Sequence, residues 1–263
     1  MADMGKGLMR IAGGQMRRIG PPGSALCGGN GCVFCAEQHR CICYDASSGQ
    51  TRFDFPVPTG VCALELLGRY ICALSADADC LCVYNSATGA PALSLPAGVY
   101  PRALARSPCG RYLAIAGGAS GEVWVLDRGF SCVQQQRVPG VACGVCFLPR
   151  ALAVLCAVGE SQLTACLTRI STRGVCEEGM RWDAVPCGLC ALSDGGCLVG
   201  CHGEITCLRR DGQIAFRRPC PYPARMRPSR DGPLICDGWQ GSVLTMNGRA
   251  LYQGKEPADV YCP

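Results

Sequence analysis

Histidine is nearly absent from this chain of 263 residues: only His39 and His202 occur, so the side chain most often used as a general base is in short supply. No G-x-S-x-G elbow, P-loop, H-E-x-x-H pair or dinucleotide-binding fingerprint accompanies them. The glycine-rich GGASG at 117–121 precedes a β-type segment and not a helix, so it reads as a tight turn and not as a phosphate cradle. No nucleophile, base and orienting group can be assembled, and no catalytic residue is assigned. Long apolar runs are also missing; none approaches eighteen residues, which argues against a membrane span. The N-terminal MADMGKGLMRIAGGQMRRIG mixes acidic and basic residues and has no seven-residue apolar core. Neither a signal peptide nor a lipid anchor is expected there, and the protein is expected in the cytoplasm. Charge is modest, with 25 basic and 20 acidic residues giving a formal +5.

What the chain does have is a repeated unit, clearest in residues 101–140. An apolar-biased segment at 101–107 turns at Cys109-Gly110, and a second segment at 112–116 runs into the 117–121 turn. A third at 123–126 ends at Asp127-Arg128-Gly129, and a fourth at 132–138 stops at Pro139-Gly140. Short segments punctuated by Gly, Pro and Asp predict four antiparallel strands, because no intervening stretch is long enough for a crossover helix. Third-strand markers recur at Tyr44, Tyr84, Leu126, Leu167, Leu208 and Met246, at intervals of 40, 42, 41, 41 and 38 residues. A period near forty made of four strands predicts a single all-β domain over 1–263, a β-propeller of four-stranded blades at 24–55, 61–95, 101–138, 142–180, 186–218 and 222–253.

The Pro-Arg, S-P-x-G-R-Y-L and Val-x-Val-Leu-Asp elements of residues 101–127 resemble the bacterial YVTN or lactonase-type propeller repeats, relatives of the WD40 class. The Gly-His and terminal Trp-Asp marks of strict WD40 repeats are missing. The resemblance implies an alternative function, hydrolysis of a small sugar lactone at the mouth of the propeller channel. No catalytic motif of that family can be matched residue by residue.

At the N-terminus, residues 7–11 resemble a third strand and 15–19 a fourth, with Gly13-Gly14 as the turn; 257–262 begins another first strand. Joining these closing strands, 7–19 and 257–262, would complete a seventh blade and remove exposed sheet edges. Seven blades are expected in preference to six, although no segment supplies the seventh blade's second strand.

Cysteine is abundant, at 24 residues. Cys35, Cys72 and Cys236 align with Ala114 and Val199, and Cys43 aligns with Val83, so cysteine stands in for small apolar residues and is expected to be reduced and buried. Two CxxC pairs, 143–146 and 187–190, fall on strands, where positions three apart point to opposite faces and cannot chelate one ion. Cys197, Cys201, His202 and Cys207 can also be drawn as a metal site. Only Cys201 and His202 lie in the turn, however, and neither a metal nor another cofactor is expected.

Function is therefore read as non-enzymatic binding of a protein, peptide or small ligand through the turns of one propeller face. The residues proposed for it are Tyr100, Trp182, Asp183, Tyr222 and Trp239, because large aromatics among polar turns are the usual anchors of interfaces. Arg102, in the innermost ring of positions, is the candidate for an anionic group. Arg209, Arg210, Arg217, Arg218, Arg225, Arg227 and Arg230 cluster late in the chain, interrupted by Glu204, Asp211 and Asp231. They read as a solvated surface divided between two blades, so nucleic acid is not expected as a partner.

Overall fold

The computed structural model describes residues 8–12, 15–20, 24–159, 163–220, 223, 225–227, 234–236, 241–244, 250–253 and 259–261. Two N-terminal strands, β1 (Leu8–Ala12) and β2 (Gln15–Gly20), precede a sheet made of β3 (Ala25–Gly29), β4 (Cys32–Glu37), β5 (Arg40–Asp45) and β6 (Thr51–Pro56). The next sheet holds β7 (Val61–Leu67), β8 (Tyr70–Ser75), β9 (Cys80–Asn85) and β10 (Pro91–Pro96). It is followed by β11 (Ala103–Arg106), β12 (Tyr112–Ala116), β13 (Glu122–Asp127) and β14 (Cys132–Arg137). A further sheet comprises β15 (Val141–Leu148), β16 (Ala151–Val158), β17 (Thr164–Ser171) and β18 (Cys176–Trp182). Then come β19 (Pro186–Ala191), β20 (Cys197–Cys201), β21 (Gly203–Leu208) and β22 (Ile214–Cys220). The last four-stranded sheet is β23 (Arg225–Arg227), β24 (Leu234–Cys236), β25 (Gly241–Leu244) and β26 (Ala250–Gln253), after which β27 (Asp259–Tyr261) follows. Each four-stranded sheet is a meander whose spatial order follows the sequence. Among the described residues there is no helix long and apolar enough to cross a membrane.

The chain divides into two compact units, Gly23–Phe147 and the combination of Met1–Pro22 with Leu148–Cys262. In the first, β7 lies against β3 on one side and β11 on the other; in the second, β19 lies against β16 and β23. Stacking of successive sheets gives each unit a propeller-like arrangement.

Alternation along the strands explains this packing. On β8, Ile71 and Ala73 enter one apolar cluster with Phe34, Cys43 and Leu64, while Cys72 and Leu74 enter another with Leu81, Leu113 and Ile115. All four are fully buried, because the pleat sends alternate side chains to opposite faces and both faces are covered. The outermost strands β10 and β14 instead alternate exposed and half-buried residues.

The closed ring of seven or six blades is corrected. The fold is all-β and the terminal strands do join, but among the described residues no sheet closes into a barrel, and the joined strands do not complete a four-stranded blade. They form a mixed three-stranded sheet in the order β2-β1-β27, with β1 antiparallel to β2 and parallel to β27. First and third strands of a meander run in the same direction; without a second strand between them, their direct pairing is parallel.

Backbone proximity is tightest at Gly118, whose isolated bridges reach both Val99 and Ala142. Its φ is +62°, and a Cβ placed there would lie 1.8 Å from the Tyr100 carbonyl oxygen. Gly31 also has a positive φ, +72°, but nothing lies within 4 Å of its would-be Cβ. Gly118→Ala is therefore expected to destabilise the protein by more than about 2 kcal/mol, since it adds a backbone clash to the conformational penalty. Gly31→Ala should carry only the left-handed penalty of about 1–2 kcal/mol. Denaturant melts of the two variants check the difference.

Candidate functional site

The residues singled out from sequence scatter. Tyr100 is 59% exposed with φ +52°, and its backbone N–H donates to Asp79 Oδ1 at 2.8 Å. Arg102, two residues on, is also exposed. Beside it, the Cys62 thiol donates to the Pro101 carbonyl at 3.2 Å, and burial pushes its pKa up to about 11 against the opposing pull of the Arg102 charge. Asp183 is exposed, but Trp182 is not the surface anchor expected of it. Its indole is buried and donates from Nε1 to Thr206 Oγ1 at 3.0 Å; that hydroxyl donates in turn to Glu204 Oε1 at 2.8 Å. The Arg217 guanidinium stands 3.8 Å from the same carboxylate. Trp182 is thus a tie between β18 and β21, because a buried indole N–H needs an acceptor and finds it on the neighbouring sheet. Tyr222 and Trp239 lie outside the described residues.

None of the described cysteines forms a disulfide, and most are buried. In both CxxC pairs the first cysteine is half-buried and the second buried, as opposite faces of a strand require. Cys197, Cys201 and Cys207 are buried whereas His202 is exposed. Among the described residues no group of three or more His, Cys, Asp and Glu comes together to hold a metal ion. Burial pushes the thiols of Cys197 and Cys201 up to about 12.

A cleft that sequence reasoning missed is built by two turns of the β19–β22 sheet. It encloses about 700 Å³ and is lined by Asp194, Cys207, Arg209, Arg210, Asp211, Ala215 and Phe216. The first turn is held by Leu192 N–H to Gly196 O at 2.9 Å and by Gly196 N–H to Asp194 Oδ1 at 2.9 Å. The second is held by Arg209 N–H to Gln213 O at 2.8 Å and by Gln213 N–H to Asp211 Oδ1 at 3.0 Å. Gly196 lets the turns meet: a Cβ there would fall 2.3 Å from Leu208 O.

One oxygen of each carboxylate is therefore engaged by backbone, while Arg209 and Arg210 are exposed and form no ion pair among the described residues. A third guanidinium, that of Arg169, reaches the same turn, 3.3 Å from the would-be Cβ of Gly212. Two guanidinia and two carboxylates thus line the cleft, Arg169 adds a positive charge beside the second turn, and the half-buried Phe216 is the cleft's apolar surface. The available sequence signal was an Arg-Arg-Asp-Gly turn with an aromatic on the returning strand.

No protein-family model matches the chain, and no curated protein matches it by sequence. Its fold is nevertheless shared. A streptogramin B lyase structure aligns with a TM-score of 0.69 at 15% identity, covering 98% of this chain and 85% of that one. U3-55K aligns with a TM-score of 0.68 at 10% identity over 88% and 80%, and Kluyveromyces lactis Hsv2 with 0.59 at 13% over 82% and 71%. The chain has a propeller-like fold. At these identities the likeness extends to fold alone, and the YVTN or lactonase-type resemblance narrows to that statement. The expectation that nucleic acid is no partner is corrected as well: it rested on the late arginines being divided over a solvated surface, whereas the β21–β22 turn gathers Arg209 and Arg210 into one cleft.

Thr206→Val should lower stability by about 1–3 kcal/mol by stranding the buried Trp182 N–H, a loss read from thermal melting. Among surface thiols, hydrogen bonds from Ser107 and the Arg111 amide hold Cys109 below the ordinary thiol pKa, whereas partial burial holds Cys176 above it. Thiolate is the reacting form, so alkylation of Cys109 should become rapid at lower pH than that of Cys176. Peptide mapping after brief iodoacetamide treatment across a pH series measures both midpoints.

Proposed function

We propose that the protein is a binding module whose Arg209–Arg210 cleft takes single-stranded nucleic acid. The observation that carries this reading is the pairing of two guanidinia, unpaired among the described residues, with the half-buried Phe216 ring in one open cleft. Guanidinium groups suit phosphate through their forked donors, and an aromatic face accepts a base by stacking. The carboxylate oxygens of Asp194 and Asp211 that the backbone leaves unused suit sugar hydroxyls or exocyclic amines. Arg209→Ala with Arg210→Ala should weaken binding of a labelled single-stranded oligonucleotide at least about tenfold and flatten its salt dependence. Phe216→Leu should cost about 1–3 kcal/mol with the oligonucleotide and leave heparin, a polyanion without bases, unaffected. Undiminished oligonucleotide binding in the double arginine variant counts against the reading.

A second reading, a lactonase-like hydrolase acting on a small sugar lactone, is supported by the extent of the likeness to streptogramin B lyase, 98% of this chain. Arg102 is the residue it would use, to bind the developing anion. Turnover across a panel of sugar lactones that is abolished by Arg102→Ala would establish it, and no turnover with any member would remove it.

A further inference from the structure

Cys80 and Cys82 are two residues apart on β9, so the pleat carries both side chains to the same face. Leu81 and Val83 between and beyond them turn to the other face and are fully buried. The two sulfurs stand 3.6 Å apart, and neither thiol is fully buried. Ser94 lies directly across the β9–β10 ladder from Cys82, and its exposed Oγ is 3.6 Å from the Cys82 sulfur. One side of the pair is therefore open, while the other packs against the apolar cluster that contains Phe55 and Tyr84.

Metal chemistry sets a length against which this spacing can be judged. Zinc–thiolate bonds of about 2.3 Å in a tetrahedral arrangement place two sulfurs about 3.8 Å apart. The observed separation is within a few tenths of an ångström of that edge, so an ion can be held without moving the backbone. Thiolates select soft cations, and only two of them here leave coordination positions open towards Ser94.

We propose that Cys80 and Cys82 form an open dithiolate site for a soft d10 metal ion, with the Ser94 hydroxyl at its mouth. On binding, each S–H bond breaks, its proton passes to solvent, and a sulfur–metal bond forms. Two protons are released per ion and no electrons are exchanged. The site is separate from the arginine cleft and independent of its function.

Titration of the reduced, full-length protein with Cd2+ alone, and in a parallel arm with Cu+ under anaerobic conditions, tests this through the ultraviolet thiolate-to-metal absorption. Because other thiols are present, a background variant with Cys109, Cys132 and Cys176 all changed to Ser removes those exposed among the described residues. This background should keep a saturable equivalent of metal, and adding Cys80→Ser and Cys82→Ser should abolish it without altering the far-ultraviolet circular dichroism. Should the latter variant fail to fold, Cys80→Ser alone, at the strand's first position, should weaken Cd2+ binding at least about tenfold. The equivalent persisting after loss of both cysteines, its disappearance already in the background variant, or unchanged affinity in Cys80→Ser overturns the proposal.

Discussion

Burial on both faces is the constraint from which most of this structure follows. A sheet pressed between neighbours must fill two thin layers of space from a single strand, one with its odd residues and one with its even residues. On β8 and β9 this requires Ile71, Cys72, Ala73 and Leu74 to be apolar in succession, and Leu81 and Val83 to alternate with side chains that serve the opposite cluster. Small and medium volumes satisfy it best, so Ala, Val and Cys exchange at equivalent positions. The abundance of cysteine is in this light a packing solution, and the raised thiol pKa values at buried positions follow from it. A thiol shut away from water is held protonated and makes a poor nucleophile.

The same constraint decides what could be read from the sequence. Within the 101–140 unit, Gly, Asp and Pro mark turns because they adopt backbone conformations that strands reject, and β12 and β13 fall where those marks place them. Strand direction is local information of this kind. Pairing of the chain ends is only partly so: the match of 7–19 and 257–262 to strands of one unit brings them together, but the direct, parallel contact of β27 with β1 has no local signature. Trp182 was misread for a related reason. A tryptophan at the end of an outer strand looks like a surface anchor until the buried hydroxyl of Thr206 is known to face it.

The arginine cleft shows how turn geometry changes the meaning of a charge pattern. Counted along the chain, Arg209 and Arg210 are offset by Asp211 and by Asp194 further back. In the folded sheet, each of those carboxylates spends an oxygen on a neighbouring amide, which shapes the turn and leaves less for the guanidinia. Two turns close to one another then hold a local positive field that the modest net charge of the chain does not suggest.

The outermost strand of each meander has one side of its backbone without a partner in its own sheet, and these edges are not equally guarded. β10 begins and ends with Pro91 and Pro96, β6 ends with Pro56, and β22 carries Pro219 near its end. Proline offers no N–H for another strand to bind, so these edges resist extension. β14 has no proline, and its central Gln134, Gln135 and Gln136 are the kind of side chain that stacks readily between like strands. At high concentration, the β14 edge is more open to strand-to-strand self-association than the edges of β6, β10 and β22.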